Sequence, residues 1–398
     1  MGNFCSYEGA AESESLFRDH QVTLMLQERM NLISFDECES TRSDEEALGG
    51  LSLVGRIGSG LFSDVFLARG CGWGEGEGVA VKVVRKGDFA SRESVQKMIV
   101  EKEILRILKH RNILRLFGTV QSDQNLYFFL EFCPLGSLRR LLSLHGRLEA
   151  WELLPIAGQL VEALAYIHSE GIIYGDLKAE NVLLDGRGEL KLCDFNLSGT
   201  RTTLQRKVQG TLSYIAPEVL EGLSPNPKAD FWALGVLLHL LFYGKLPFAR
   251  HRGAPNADLI RDIVEGNIPE EKNDRKAPLA LRSLISGLLT PNLSKRLASR
   301  NQLEAHPFFR GFNWWNFRDF EGSFAYVRGV PPLQPKNLEG PAPGSGGKNA
   351  LYPAFQIRDF TFETASPLSR VADSKGEKVA LQPPEFKKDF GFSETEAN

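Results

Sequence analysis

The run YGDLKAENVLL, followed at short distance by ELKLCDFN, constrains this chain more than any other stretch. It sets Asp176, Lys178 and Asn181 on one short loop after an apolar helix-like segment. It then sets Asp194 beside Phe195, just past a strand-like run. IAPE (Ile215 to Glu218) and DFWALG (Asp230 to Gly235) follow in order.

The flanking sequence agrees. Residues 1–50 are polar, acidic in patches, and hold one helix-like stretch near Leu16 to Leu32. From Leu51, LSLVGRIGSG and SDVFLAR read as strands joined by a glycine-rich turn, and GVAVKVV as a third. The insert CGWGEGEG reads as a hairpin loop. Val95, Met98, Ile99, Ile104, Leu105 and Leu108 recur at helical spacing over 93–109. Two more strand-like runs end at LYFFLEF. After Gly136 the pattern is mainly helical to Phe309, and the tail from Gly311 is rich in Phe, Pro and Gly. GVPPLQPKNLEGPAPGSGGK cannot hold regular structure. The fold class predicted is α+β: a small β-rich lobe with one major helix, a larger helical lobe, and an extended C-terminal tail. The expected boundaries are a flexible, acylated extension over 1–50, a domain over 51–310 with its small lobe at 51–132 and large lobe at 133–310, and a partly disordered tail over 311–398.

Composition narrows the surroundings. With 42% hydrophobic residues among 398 the chain can fill a real core. A net charge of −3, with signs mixed, argues against a nucleic-acid partner. Five scattered cysteines without a C-x-x-C pair fit reduced thiols in a cytoplasmic setting better than a disulfide framework or a zinc site. The start MGNFCSYEG lacks the regions of a signal peptide. The longest apolar run, Phe231 to Gly244, falls short of the roughly 20 residues needed to span a bilayer and reads as a buried helix.

Gly58-Ser59-Gly60, then Ser63 and Val65, follow a strand, and glycines let backbone amides approach phosphate oxygens. Alone this pattern is more often an ordinary hairpin turn. Lys82 in VAVK could reach the α- and β-phosphates, although exposed strand lysines are common; Glu101, mid-helix beyond, is by itself a solvated face. Phosphoryl transfer needs a carboxylate for the attacking hydroxyl's proton, oxygen ligands for hard Mg²⁺, and a cation on the γ-phosphate. Asp176, then Asn181 with Asp194, then Lys178 supply a candidate for each.

This ordered set resembles the protein-kinase signature series, over roughly residues 51–310 and into the tail. The resemblance implies a bilobal kinase fold, ATP and Mg²⁺ as cofactors, and protein substrates. It implies that Ile57, Gly58, Ser59, Gly60, Val65, Ala80 and Leu183 surround the nucleotide and that Lys82 pairs with Glu101. Leu130 becomes the gatekeeper, and the backbone from Glu131 to Cys133 reads the adenine edge. Asp176 becomes the catalytic base, Lys178 steadies the γ-phosphate, Asn181 and Asp194 hold magnesium, and Glu218 pairs with Arg296. DLKAEN is similar to the serine/threonine class. HPFFRGFNW, then VRGVPPLQPK, resembles the AGC branch and its ribosomal protein S6 kinases, whose tail crosses the ATP site. Ser366-Pro367 resembles that branch's turn-motif phosphosite, a target for regulatory kinases, and KKDFGFSE its hydrophobic motif, although Phe386 and Phe390 are spaced one residue too wide.

The departures carry expectations too. Gly175 stands where most kinases carry the arginine that pairs with a loop phosphothreonine, and Lys207 stands where that threonine would be. Activation without loop phosphorylation is the expectation. Asn196 replaces the glycine after Asp194-Phe195, which predicts altered flipping and slower chemistry; Ser63 in the glycine loop is a milder change. Glu180 is retained where upstream arginines of a substrate are read, but Ser137 and Leu240 carry no charge, which predicts weakened selection for arginine. Gly2, within MGNFCS, matches the myristoylation pattern, and Cys5 offers a second acyl site. The chain is therefore expected on the cytosolic face of a membrane. The alternative is a pseudokinase or ATP-binding scaffold with little catalysis.

Overall fold

The central strands of the small lobe, Val79–Arg85 and Asn125–Glu131, are buried at nearly every position because both faces of the sheet are covered there. The structure, a computed structural model, describes residues 18–29, 33–34, 43–60, 63–70, 78–89, 91–204, 210–248, 256–268, 277–314, 327, 329–336, 356–357 and 360–363. Helix α1 covers 18–29, and β1 (Ile33–Ser34) pairs with β10 (Gln356–Ile357). The main sheet is antiparallel, built from β2 (Ser52–Ser59), β3 (Ser63–Arg69), β4 (Val79–Arg85), β5 (Leu116–Gln121), β6 (Asn125–Glu131) and β11 (Phe362–Glu363), in the order β11-β5-β6-β4-β3-β2.

Alternation sorts its side chains. Ala80, Val84, Leu126, Phe128 and Leu130 face the helix α3 (Arg92–Ile107) and join the main core. Val79, Val81, Val83, Tyr127 and Phe129 point the other way, onto a second cluster with Ala47 of the short α2 (Asp44–Leu48). Asp44 seats α2 by accepting from Ser122 Oγ (2.5 Å) and Tyr127 OH (2.7 Å).

The large lobe is built round α5 (Ala150–Ser169) and α7 (Pro227–Tyr243), with α4 (Leu138–His145), α6 (Pro217–Leu220), α8 (Asn256–Glu265), α9 (Leu279–Leu288) and α10 (Arg300–Glu304) about them. The apolar run expected to be a buried helix is α7, buried without interruption from Asp230 to Leu241. Gly235 lets α9 close on it: a Cβ there would lie 2.8 Å from Leu288 Cβ. A three-stranded sheet, β7 (Gly136–Ser137), β8 (Val182–Leu184) and β9 (Leu190–Leu192), carries the site loops. No helix among the described residues is long and apolar enough to cross a membrane.

Two tail segments return to the small lobe. Leu333 N–H donates to Pro134 O at 2.7 Å, and Arg56 and Lys336 exchange backbone hydrogen bonds at 3.0 and 2.9 Å. Phe360 is fully buried, edge-on to Phe128 and beneath Lys102 Nζ at 5.2 Å, and its carbonyl accepts from Thr119 Oγ1. CGWGEGEG is largely outside the described residues; Gly2, Cys5, Lys207, Ser366, Phe386 and Phe390 are wholly so.

Candidate active site

The β8–β9 hairpin brings together what the sequence separates. Asn181 precedes β8 and Cys193 follows β9, and the register Val182↔Leu192 makes their backbones neighbours, Cys193 N–H donating to Asn181 O at 3.0 Å. Asp194 therefore emerges beside the loop that carries Asp176. Lys178 Nζ donates to Asp176 Oδ2 at 2.5 Å, and Asn181 Nδ2 donates to the same oxygen at 2.8 Å. Burial pushes the Asp176 carboxyl above the usual carboxylate range, against the pull of Lys178 and Asn181, and the charge of Asp194 adds to the rise.

Across the cleft, Lys82 on β4 donates to both oxygens of Glu101 on α3, at 2.7 and 2.8 Å. Burial opposes the Lys82 ammonium, but Glu101 and Asp194 outweigh it and hold the group above the ordinary lysine value. Gly58 faces Val65 in the β2–β3 register, and Gly60 N–H donates to Ser63 O at 2.7 Å, so Ser59 and Gly60 lie at the hairpin's tip. Ala80, Leu130 and Cys133 are buried in the main core, and Ile57, Val65 and Leu183 pack against it half-buried. Glu131 pairs with Lys191 at 3.0 Å. Val65 lies opposite Lys82 in the β3–β4 register, and Ala80 lies opposite Leu130 in the β4–β6 register, on the strands that carry the Lys82–Glu101 pair.

Asp194 adopts φ 60°, the one non-glycine residue with positive φ among those described. Its Oδ1 is buried without a hydrogen-bond partner, which is costly unless something meets it. Asn181 commits its amide nitrogen to Asp176 and keeps its carbonyl oxygen as acceptor. No group of three or more His, Cys, Asp or Glu suited to a metal exists among the described residues. Two hard oxygen donors beside a phosphate site are nonetheless what Mg²⁺ accepts, because it fills its other positions with water and phosphate. The residues fit that ion. Asn196 does not occupy the left-handed region, so replacing glycine there adds no backbone strain.

Several supporting residues were not assigned roles from sequence. Asp230, 2% exposed on α7, accepts from the N–H groups of Tyr174 (3.0 Å) and Gly175 (2.8 Å) and meets His168 Nε2 at 2.8 Å. Phe195 is fully buried against Tyr174, ring centroids 5.1 Å apart. Ser198 Oγ donates to Tyr174 O at 2.6 Å. The DFWALG motif was the available signal for Asp230; nothing local marked Tyr174 or Ser198. Glu218 and Arg296 form the expected pair, bidentate at 2.8 Å twice.

A two-lobed fold holding a lysine–glutamate pair, an unpaired carboxylate and a loop aspartate in one cleft defines a nucleotide-dependent phosphotransferase. The chain belongs to the protein kinase domain family, whose model matches residues 51–309. That family uses ATP and Mg²⁺. Among curated relatives, mouse (Mus musculus) Aurora kinase C is 35% identical over 260 residues, covering 65% of this chain and 91% of its own. CBL-interacting serine/threonine-protein kinase 24 of Arabidopsis thaliana is 36% identical, over 65% of this chain and 57% of its own. Serine/threonine-protein kinase PKH2 of Saccharomyces cerevisiae is 30% identical over 71% of this chain, which spans only 26% of that relative.

Proposed function

We propose that this chain is a serine/threonine protein kinase of the AGC branch, similar to the ribosomal protein S6 kinases, held at the cytosolic face of a membrane through Gly2 and Cys5. The observation that carries the chemistry is the meeting of Asp176, Lys178 and Asn181 with Asp194, Lys82 and Glu101 around one cleft. Asp176 orients the substrate hydroxyl and takes its proton as the oxygen bonds to the γ-phosphorus, while the bond from that phosphorus to the β–γ bridging oxygen breaks and ADP leaves. Lys178 steadies the γ-phosphate, and Lys82, braced by Glu101, holds the α- and β-phosphates. Asp194 and Asn181 would hold Mg²⁺. An ion held there would supply charge neutralisation at the phosphates. Ile57, Val65, Ala80 and Leu183 clasp the adenine, whose edge meets the backbone from Glu131 to Cys133.

Selection of serine and threonine is supported by the relatives whose names carry that class and by Lys178, which follows Asp176 by two residues. The kinase-like module without turnover is not favoured, because the catalytic set is complete and aligned. Support for the AGC branch comes from the tail: Leu333 bonds to Pro134 and Lys336 to Arg56 on the strand before the glycine-rich turn, and Phe360 is seated on the small lobe. Ser366 then serves as a site for regulatory kinases.

Two measurements test the proposal. The purified full chain is given MgATP and a peptide library with Ser, Thr or Tyr acceptors; phosphate on Ser and Thr is expected, and transfer to Tyr alone contradicts it. Gly2→Ala is expected to shift the protein from membrane to soluble fractions, and unchanged fractionation defeats the tether.

A further inference from the structure

Helix α1 belongs to none of the machinery described so far, yet it is welded to it. Asp19, Val22, Thr23 and Leu26 form its inward stripe, at the spacing of one helical face. Leu26 is fully buried in the main core, with Val22 and Met25 packed beside it. Arg18 donates to Glu170 at 2.7 Å, at the end of α5, and Asp19 lies so close to Gly171 that a Cβ there would be 2.5 Å from its nitrogen. These contacts seat α1 against the turn that leads into Ile173 and the catalytic loop.

Thr23 reaches from this seat to the segment after Asp194. Its hydroxyl meets Thr200 Oγ1 at 2.6 Å and Thr202 Oγ1 at 2.8 Å, and donates to Asp19 at 3.2 Å. Thr200 is fully buried, and its N–H donates to Thr203 Oγ1 at 2.8 Å. One residue before it, Gly199 exchanges backbone hydrogen bonds with Ile173 at 2.8 and 3.1 Å. The strand of contacts therefore runs from Thr23 through Thr200 and Gly199 to Ile173, three residues from Asp176. Gly175 adds no side chain to this linkage, since it sits at φ 79° with Leu197 O only 2.7 Å from where a Cβ would be. Behind the catalytic loop lies a cavity of about 260 Å³ whose wall includes Gln27 of α1, Val100 of α3, Asn196 and Asp176. Residues of α1, of α3 and of the segment after Asp194 thus share the wall of one cavity with Asp176.

We infer that Thr23 is a positioning residue for phosphoryl transfer, and that α1 orders the segment after Asp194 from within the chain. The inference rests on the kinase reading above, and the test separates the two. Thr23→Val keeps shape and removes the hydroxyl; Thr23→Ser restores it. In the full chain, Thr23→Val is expected to lower kcat about tenfold, the size of one lost hydrogen bond, since Thr200 keeps Thr202 and Thr203 as partners, with KM for ATP within about twofold of wild type. Backbone hydrogen–deuterium exchange over 196–204 is expected to quicken in Thr23→Val and to match wild type in Thr23→Ser. Exchange unchanged in Thr23→Val overturns the inference, as does an equal loss in both variants that tracks a lowered Tm. Should the wild-type chain transfer no phosphate, the kinase reading fails while the exchange result still decides for or against Thr23.

Discussion

Asp230 is the residue whose removal should cost most for its distance from the reaction. It is almost wholly buried, and each carboxylate oxygen accepts one backbone N–H of the catalytic loop, from Tyr174 and Gly175, while Oδ2 also meets His168. Leaving a buried donor unpaired costs about 1–3 kcal/mol. Asp230→Asn keeps the volume but offers one acceptor oxygen where two are needed. One N–H is stranded whichever way the amide turns, so stability should fall by about 1–3 kcal/mol. Asp230→Ala strands both, so the loss should be about 2–6 kcal/mol, a large part of the roughly 5–15 kcal/mol that holds a domain together. Urea unfolding of both variants, with kcat measured below the transition, reads the two effects. The order wild type, Asn, Ala is expected in stability, and kcat should fall already in the Asn variant because Gly175 adjoins Asp176. An Asn variant with wild-type stability and wild-type kcat refutes the reasoning.

Three further outcomes are expected. Glu218→Ala leaves the Arg296 guanidinium buried without its carboxylate, at a cost of about 3–5 kcal/mol; backbone carbonyls of Thr290, Lys228 and Pro291 favour the lower end, and urea unfolding checks it. Gly235→Ala drives a methyl into Leu288 and Leu289 and should destabilise by about 1–3 kcal/mol, seen as a lowered Tm with KM for ATP unchanged. The raised pKa of Asp176 sets the acid limb of the rate profile: a base must be ionised to accept a proton, so kcat should fall as pH drops through a value above the ordinary carboxylate's, about 3.9, and a limb at or below it contradicts the assignment.

Residues grouped by chemistry within a few positions were legible in the sequence: Asp176, Lys178 and Asn181 share one loop, and Asp194 follows a recognisable strand. The Lys82–Glu101 pair was legible only through the resemblance to protein kinases, since each residue by itself reads as an exposed charge on its element. The two-lobed architecture followed from strand runs giving way to helical spacing. What stayed hidden depends on contacts that no local pattern records. Asp230 reaches backbone groups more than fifty residues away. The α1 stretch was readable as a helix, but its seat depends on Gly171 and the threonines near Thr200, which have no periodic signature. Phe360 is one phenylalanine among 26, and only packing on Phe128 and Lys102 distinguishes it.

The most direct measurement is phosphate transfer from ATP with Mg²⁺ by the purified full chain, run beside Asp176→Asn and Lys82→Met, with nucleotide affinity measured in parallel. The expected result is transfer by wild type and a fall of about 10²–10⁴-fold in each variant, with the Asp176→Asn protein still binding MgATP. Wild-type protein that binds MgATP but transfers nothing, or variants that match it in rate, contradict the claim that these two residues carry out the reaction.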